Sequence, residues 1–446
     1  MFLFFIRSSL RYSKGVDLMF ISVKEAMKQG SGHVAVRGWA YRVRGSNKMI
    51  FIVLRDSSDI IQCVINREKI SKEKWADAEK LLIESSIEIK GNIKEDKRAP
   101  TGYEIDVDEF NVVHFAEVFP IAKDQSTEFL LDKRHLWIRS RKMTAIMKIR
   151  STIFGAIDNF YRERGFFEVA PPILTPNACE GKLTLFEVKY FDDIAYLTQS
   201  WQLYAEALIF SLEKIYCNSP CFRAEQSKTS RHLAEFYMSE MEVAWAHLDD
   251  ILKYAEELIA FIVQQVLEKN KEELKLLERD TEKLSKVKVP LARITYTDAL
   301  ALLKKQGINI EWGKDLRTIE EDELMKNFDT PVMVTRYPKK IMAFYKPADP
   351  QDARVALNFD MLAPDGYGEI IGGSERDTSI KEMERVLKEQ GDDPKNYDWY
   401  LDSRRFGSVP HAGFGMGVER IVSWICGLDN IKDAIPFPRT MMRKHP

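Results

Sequence analysis

Two arginines, a histidine, two glutamates and a closing phenylalanine are gathered in "FRAEQSKTSRHLAEF", residues 222–236. Arg223 and Arg231 carry planar forks that match phosphate oxygens, His232 adds a donor, and Phe236 offers a flat face for a base. Glu225 is suited to accept from an exocyclic amine. Together they describe an adenine nucleotide held without a P-loop. Arg420, in the glycine-rich turn "GFGMGVER" (413–420) that also holds Gly417, would close over the other face of the base by a cation-π contact. A second chemistry lies in "NFDMLAPDGYGEIIGGSERD" (358–377), where Asp360 and Glu369 flank a turn. Such hard oxygens suit magnesium, which takes carboxylates plus substrate phosphates. Each stretch alone also fits a solvated loop, a structural glycine turn or a charged hairpin.

Other phosphate chemistry is excluded by spacing. There is no GxxxxGK followed by Ser or Thr, and the glycines at 413, 415 and 417 are spaced GxGxG rather than as a dinucleotide fingerprint. HExxH, GxSxG and the kinase DFG set are absent as well. Lys plus Arg (66) nearly balance Asp plus Glu (68), so a polyanion must be met by local basic patches. The five cysteines, at 63, 179, 217, 221 and 426, form no disulfide or zinc framework and suit a reducing cytosol.

The elements that must position these residues fall into two domains, as 446 residues suggest. Residues 1–19 begin apolar and then basic, too short to span a bilayer, and read as an extension of a cytoplasmic protein, with Met19 a possible start. From 20 to 118, strand-like runs "HVAVRGWAYRV", "KMIFIVLRD", "IIQCVIN", "SIEIKGNI" and "YEIDVDEFNVVHF" surround one helical stretch, "SKEKWADAEKLL". Five strands and an inserted helix fit an OB-type barrel, a fold that binds single-stranded nucleic acid. Residues 119–139 read as a hinge. A larger α+β domain, 140–446, follows, with a helical insertion near 265–345 whose charged arm near 270–290 reads as solvated. The basic run Arg139, Arg141, Lys142, Lys148 and Arg150 is a candidate phosphate-contacting surface.

Three stretches in order resemble the motifs of the class II aminoacyl-tRNA synthetases: "FYRERGFFEVAPPILTP" motif 1, "FRAEQSKTSRHLAEFYMSEMEV" motif 2 and "GFGMGVERIVSWICGLDNIKDAIPFPR" motif 3. With the leading OB barrel they resemble the aspartyl, asparaginyl and lysyl subgroup, over roughly residues 30–440. The resemblance implies an antiparallel catalytic sheet flanked by helices. It puts Arg223 on the α-phosphate, Arg231 and His232 at the outer phosphates, Phe236 under adenine, and Arg420 above it. Glu225 would contact adenosine or the tRNA end, and Asp360 and Glu369 match the magnesium carboxylates. Pro172 matches the motif 1 proline of a dimer interface, so a homodimer is implied. In the barrel, Phe51 would stack on the central anticodon base and Gln62 read its edge, with Arg55 nearby.

The amino acid is expected to be decided in "TQSWQLYAEALIF" (198–210). Aspartyl enzymes carry a lysine where this chain has Ala205, and Glu206 follows. Gly372, in "GEIIGGSERD", resembles the asparaginyl form, and Arg376 matches an arginine that binds the side-chain carbonyl. These residues imply a neutral amide: Arg376 donates to its oxygen and Glu206 accepts, directly or through water, from its nitrogen. Two like charges about 4 Å apart cost roughly 4 kcal/mol at an effective dielectric of about 20, which would reject aspartate. Glu180, Gln202 and Glu240 match positions near the α-amino group. Two departures from the family pattern stand out, Lys182 in the flipping loop and Trp201 in the pocket wall. The expected partners are therefore L-asparagine, ATP with Mg2+, tRNA(Asn) and a second copy of the chain, with no membrane. The alternatives are an aspartyl enzyme, against which Ala205 speaks, and an asparagine synthetase, which typically lacks the barrel.

Overall fold

Along residues 50–55, Ile50, Ile52 and Leu54 alternate with Phe51, Val53 and Arg55, and that period of two decides which side faces the core. The computed structural model describes residues 19–179, 184–226 and 231–446. It divides into two compact units, 1–126 and 127–446. In the first, β1 (Gly32–Gly45), β2 (Met49–Arg55), β3 (Ile60–Asn66), β4 (Ser86–Glu95) and β5 (Tyr103–His114) close a barrel in the order β1-β2-β3-β5-β4. Ile50, Ile52, Leu54, Ile61, Cys63 and Ile65 point inward to one core. The helix Lys72–Glu79 lies between β3 and β4 in the chain and buries Trp75 and Ala78.

The strands of the second unit begin with β6 (Phe167–Glu168) and the short β7 (Leu174–Thr175), β8 (Glu187–Tyr190) and β9 (Asp193–Leu197). Then come β10 (Lys214–Phe222), β11 (Glu235–Ala244), β12 (Ala292–Thr295), β13 (Val332–Thr335), the small pair β14 (Ala348–Asp349) and β15 (Asp352–Ala356), β16 (Asn358–Ala363), β17 (Gly368–Glu375) and β18 (His411–Gly417). Eight of them form one sheet, β12-β13-β16-β17-β18-β11-β10-β6. Its centre is antiparallel, and only the outer pairs β6/β10 and β12/β13 are parallel. Apolar residues spaced three and four apart on the helices Arg141–Glu163 and Leu248–Lys269, among them Ile146, Ile149, Ile153, Ile251, Leu258 and Ile262, join the sheet in the main core.

Three expectations need correction. The expected hinge 119–139 is not one connector. Its second half forms the helices Thr127–Asp132 and Arg134–Trp137, and buried Arg134 donates to the carbonyls of Lys432, Ile435 and Pro436 and pairs with Asp433. The expected insertion near 265–345 is helical in part but is no solvated appendage. β12 and β13 extend the main sheet, and Leu274, Leu284, Val287 and Leu291 are buried in the main core. The basic run is not one continuous surface either: Arg150 is buried against Glu419 at 2.7 Å, whereas Arg139 and Lys142 are exposed, Lys142 beside Asp433, and Lys148 pairs with Glu273. Among the described residues no helix is long and apolar enough to cross a membrane.

Candidate active site

The β10–β11 hairpin is long and regular, paired from Lys214↔Val243 to Phe222↔Glu235, and its connection therefore always emerges at one end of the sheet. There Arg223, Glu225, Arg231, His232 and Phe236 line a cleft of about 580 Å³ with Glu369, Gly417 and Arg420. The structure thus brings together the residues first read as a nucleotide cradle, although they come from three separate stretches. Their internal contacts are specific. The Arg223 guanidinium lies 5.3 Å from the Phe236 ring centroid, and His232 Nε2 is 3.4 Å from Glu225 Oε2. Burial, together with the nearby Arg420, Arg223 and Arg231, lowers the His232 pKa against the pull of Glu225. Arg420, in the first turn of the helix Val418–Cys426, donates to the Glu369 carbonyl at 2.5 Å and lies 3.3 Å from its carboxylate.

A second cleft, about 630 Å³, adjoins the first and shares Arg223, Met238, Glu369 and Gly415 with it. Gln202, Glu240, Asp360, Gly372 and Arg376 also line it. Asp360 on β16 pairs in register with Gly372 on β17. A Cβ at Gly372 would stand 2.8 Å from Glu369 Oε1 and 3.5 Å from Asp360 Oδ1, so glycine leaves the space between the carboxylates open. Burial, and then the charge of Glu369, push the Asp360 carboxyl well above the usual range. Glu321 stands close by and is raised to about 7 by burial and by Glu369. Such crowded acids are where a hard divalent cation relieves repulsion. Among the described residues no cluster of three or more metal-ligating side chains occurs, and a magnesium site built on two carboxylates plus phosphates needs none.

At the inner end, Arg376 donates through Nε and Nη2 to Glu242 at 2.9 and 2.8 Å and through Nη1 to Ser374 at 2.8 Å. Glu242 lies flat against β18: a Cβ at Gly413 would fall 2.1 Å from its Oε2. Glu206 is fully buried and does not line the cleft. The expectation that it faces the substrate amide directly is therefore corrected. Its carboxylate accepts from Gln202 Nε2 (2.8 Å) and Tyr400 Oη (2.7 Å), pairs with Arg404, and lies 3.1 Å from His411 Nε2 and 3.8 Å from Arg376. His411 Nδ1 is 2.8 Å from the Val409 carbonyl, so both ring nitrogens face acceptors, and both contacts are hydrogen bonds only when both carry a proton. Burial alone would raise Glu206, yet Arg404, His411 and Arg376 together hold it far below the ordinary carboxylate range. Glu206 thus acts on the cleft through Gln202 and Arg376.

Glu240 accepts from Ser200 Oγ and the Trp201 backbone N–H and anchors the start of the helix Gln202–Leu212. Ala205 and Trp201 are buried together in a small apolar cluster. Glu180 and Lys182 lie outside the described residues. Sequence reading missed Glu242, Arg404, Tyr400 and His411. Glu242 had a signal, since Glu240 and Glu242 share one face of β11 at a spacing of two.

On the barrel's outer face Phe51 lies 5.1 Å beneath the Arg44 guanidinium. Gln62 accepts from Arg44 at 3.2 Å and donates to Glu104 at 3.0 Å. Arg55 does not join them. Glu84 clasps it with both oxygens at 2.9 Å, beside Trp39.

Comparison with known proteins agrees with this geometry. Residues 126–441 match the family described as tRNA synthetases class II (D, K and N), and residues 34–113 an OB-fold nucleic acid binding domain. The asparagine-tRNA ligase of Thermococcus gammatolerans is 49% identical over 413 residues, 93% of this chain and 96% of that protein. The crystal structure of asparaginyl-tRNA synthetase from Pyrococcus horikoshii complexed with asparaginyl-adenylate superposes with a TM-score of 0.93 at 45% identity, covering 97% of this chain and all of that one. An aspartyl tRNA synthetase from Entamoeba histolytica, at 26% identity, still gives 0.84 over 98% of this chain and 96% of that one. Matched by the family over residues 126–441 and by relatives over more than nine-tenths of its length, the chain belongs to the class II tRNA synthetases of the D, K and N group.

Proposed function

We infer that this chain ligates L-asparagine to tRNA(Asn) at the expense of ATP. The observation that carries the choice of amino acid is the neutralised arginine at the inner end of the cleft. Arg376 already meets one carboxylate in Glu242 and stands 3.8 Å from a second in Glu206, with Glu240 also on the wall. A carboxamide can accept from the remaining guanidinium hydrogens without adding charge. Aspartate would bring a further anion, at roughly 4 kcal/mol per like charge about 4 Å away. Ala205 offers no compensating cation. The relatives' names support the same amino acid.

In the first step an asparagine carboxylate oxygen attacks the α-phosphorus of ATP and pyrophosphate leaves. In the second, a hydroxyl of the terminal tRNA ribose attacks the acyl carbon and AMP leaves. Arg223, shared by the two clefts, is suited to hold the α-phosphate as charge develops on it, with Arg231 and His232 at the outer phosphates and Phe236 and Arg420 on the base. Asp360 and Glu369 would hold Mg2+, which supplies charge neutralisation on the phosphates when bound. Phe51 and Gln62 are the anticodon contacts in this reading, ordered by Arg44 and Glu104. The exposed Phe167, Pro172, Ile173 and Leu174 would meet a second copy of the chain.

ATP-pyrophosphate exchange measured with asparagine and with aspartate, followed by charging of purified tRNA, tests the reading. Exchange with asparagine is expected to exceed that with aspartate by on the order of a thousandfold. Exchange with aspartate alone overturns it.

A further inference from the structure

We propose that Asp322 is a positioning residue for the outer-phosphate grip of Arg231. The inference rests on the reading of Arg231 given above, and it assigns a role to a helix, Thr318–Met325, that no class II motif includes. Arg231 Nη2 donates to Asp322 Oδ1 at 3.0 Å and to Oδ2 at 2.9 Å. Both side chains are only part-buried, at 26% and 35% exposure, so the pair forms at the rim of the cleft rather than in its core.

A third element completes the clasp. The guanidinium lies close to the β16–β17 turn, where a Cβ at Gly366 or Gly368 would stand 3.5 or 3.4 Å from its nitrogens. Lys283 fixes that turn from the other side through Asp365 at 2.7 Å. Arg231 enters from the β10–β11 connection, a long side chain that would otherwise spread over many rotamers. Held at Nη2 by Asp322 and against the glycines, it has lost that freedom before a triphosphate arrives. A bound nucleotide then meets a fork already turned toward the cleft that Arg231 lines.

The test is steady-state adenylation and ligand binding with the full-length enzyme. Asp322→Ala is expected to raise KM for ATP about fivefold, the size an exposed ion pair supports, with kcat little changed. Affinity for a non-hydrolysable asparaginyl-adenylate analogue, which has no outer phosphates, is expected to stay the same. Arg231→Ala is expected to raise KM for ATP by at least as much, and Asp322→Ala to add little on that background. If Arg231→Ala leaves KM for ATP unchanged, the reading of Arg231 itself has failed. If Arg231→Ala acts but Asp322→Ala does not, lowers KM, adds its full effect in the double variant, or weakens the adenylate analogue equally, the positioning role is wrong and the reading of Arg231 stands.

Discussion

Glu206 illustrates how a residue outside the cleft can set its charge. Removing its charge while keeping its shape leaves Arg404 buried without a counter-ion, and losing one partner of a buried pair costs about 3–5 kcal/mol. Glu206→Gln is therefore expected to lower the melting temperature substantially in thermal unfolding and to raise KM for asparagine, because Gln202 and Arg376 lose the carboxylate they face. The pH dependence has a definite sign. The folded pKa lies below the ordinary value of about 4.5, so the stabilisation is complete above that pH and is lost as pH falls beneath it. The stability gap between the two proteins should narrow as pH falls below about 4.5. Gly372 permits a sharper test of the carboxylate pair. Gly372→Ala sets a methyl 2.8 Å from Glu369 Oε1, and adenylation is expected to fall by about 100-fold, with a higher Mg2+ requirement. At this scale the sequence was readable in the residue types it singled out, the arginines and carboxylates that the fold gathers in the two clefts. It was silent on Arg404 and Tyr400, because "WYLDSRRF" has the composition of any exposed helix, and only tertiary packing buries those groups.

The helix Val418–Cys426, which carries Arg420, is tied down at both ends, and the two ties differ in cost. At its start Glu419 accepts from the Tyr237 backbone N–H at 2.8 Å and pairs with Arg150 from the helix Arg141–Glu163. At its end Arg279 donates to the carbonyls of Trp424 and Ile425, the first of which also accepts from the Gly427 N–H. Arg279→Ala is expected to cost about 1 kcal/mol, a shift of roughly 2–4 °C by calorimetry, with adenylation at 25 °C unchanged. Arg150→Ala is expected to cost about 3 kcal/mol and to reduce adenylation as well, since it leaves Glu419 buried and unpaired at the root of Arg420. Arg279 belongs to the stretch that reads as a solvated charged arm. Its leucines at 274, 276, 277 and 284 stand among lysines, glutamates and aspartate with no sustained helical period, yet Leu274 and Leu284 are buried. The barrel strands were legible for the opposite reason: one face packs the barrel interior, so Ile50, Ile52 and Leu54 alternate with Phe51, Val53 and Arg55 on the other. β13 is buried on both faces and reads as a featureless apolar run, "VMVT".

In the function proposed above the two units divide the work, and that division can be measured. Phe51 and Gln62 lie in the barrel, whereas both clefts lie in the second unit. Loss of one stacking platform is worth about 1–3 kcal/mol. Phe51→Ala is therefore expected to leave ATP-pyrophosphate exchange intact and to cut kcat/KM for tRNA charging about 10- to 100-fold. Equal losses in both assays would mean that the barrel supports the catalytic unit rather than the anticodon. Assembly is the other property of the whole molecule. β6 is an edge strand of only two residues, Phe167 is 55% exposed, and Ile173 and Leu174 follow at 43% and 40%. Apolar residues gathered so closely on a surface are what an obligate partner covers. Sedimentation is expected to give a dimer at micromolar concentration, and Ile173→Asp with Leu174→Asp a monomer, because two charges on each copy would face the same patch of the other across a two-fold axis. A wild-type monomer at that concentration would place those side chains against some other surface and remove the case for a homodimer.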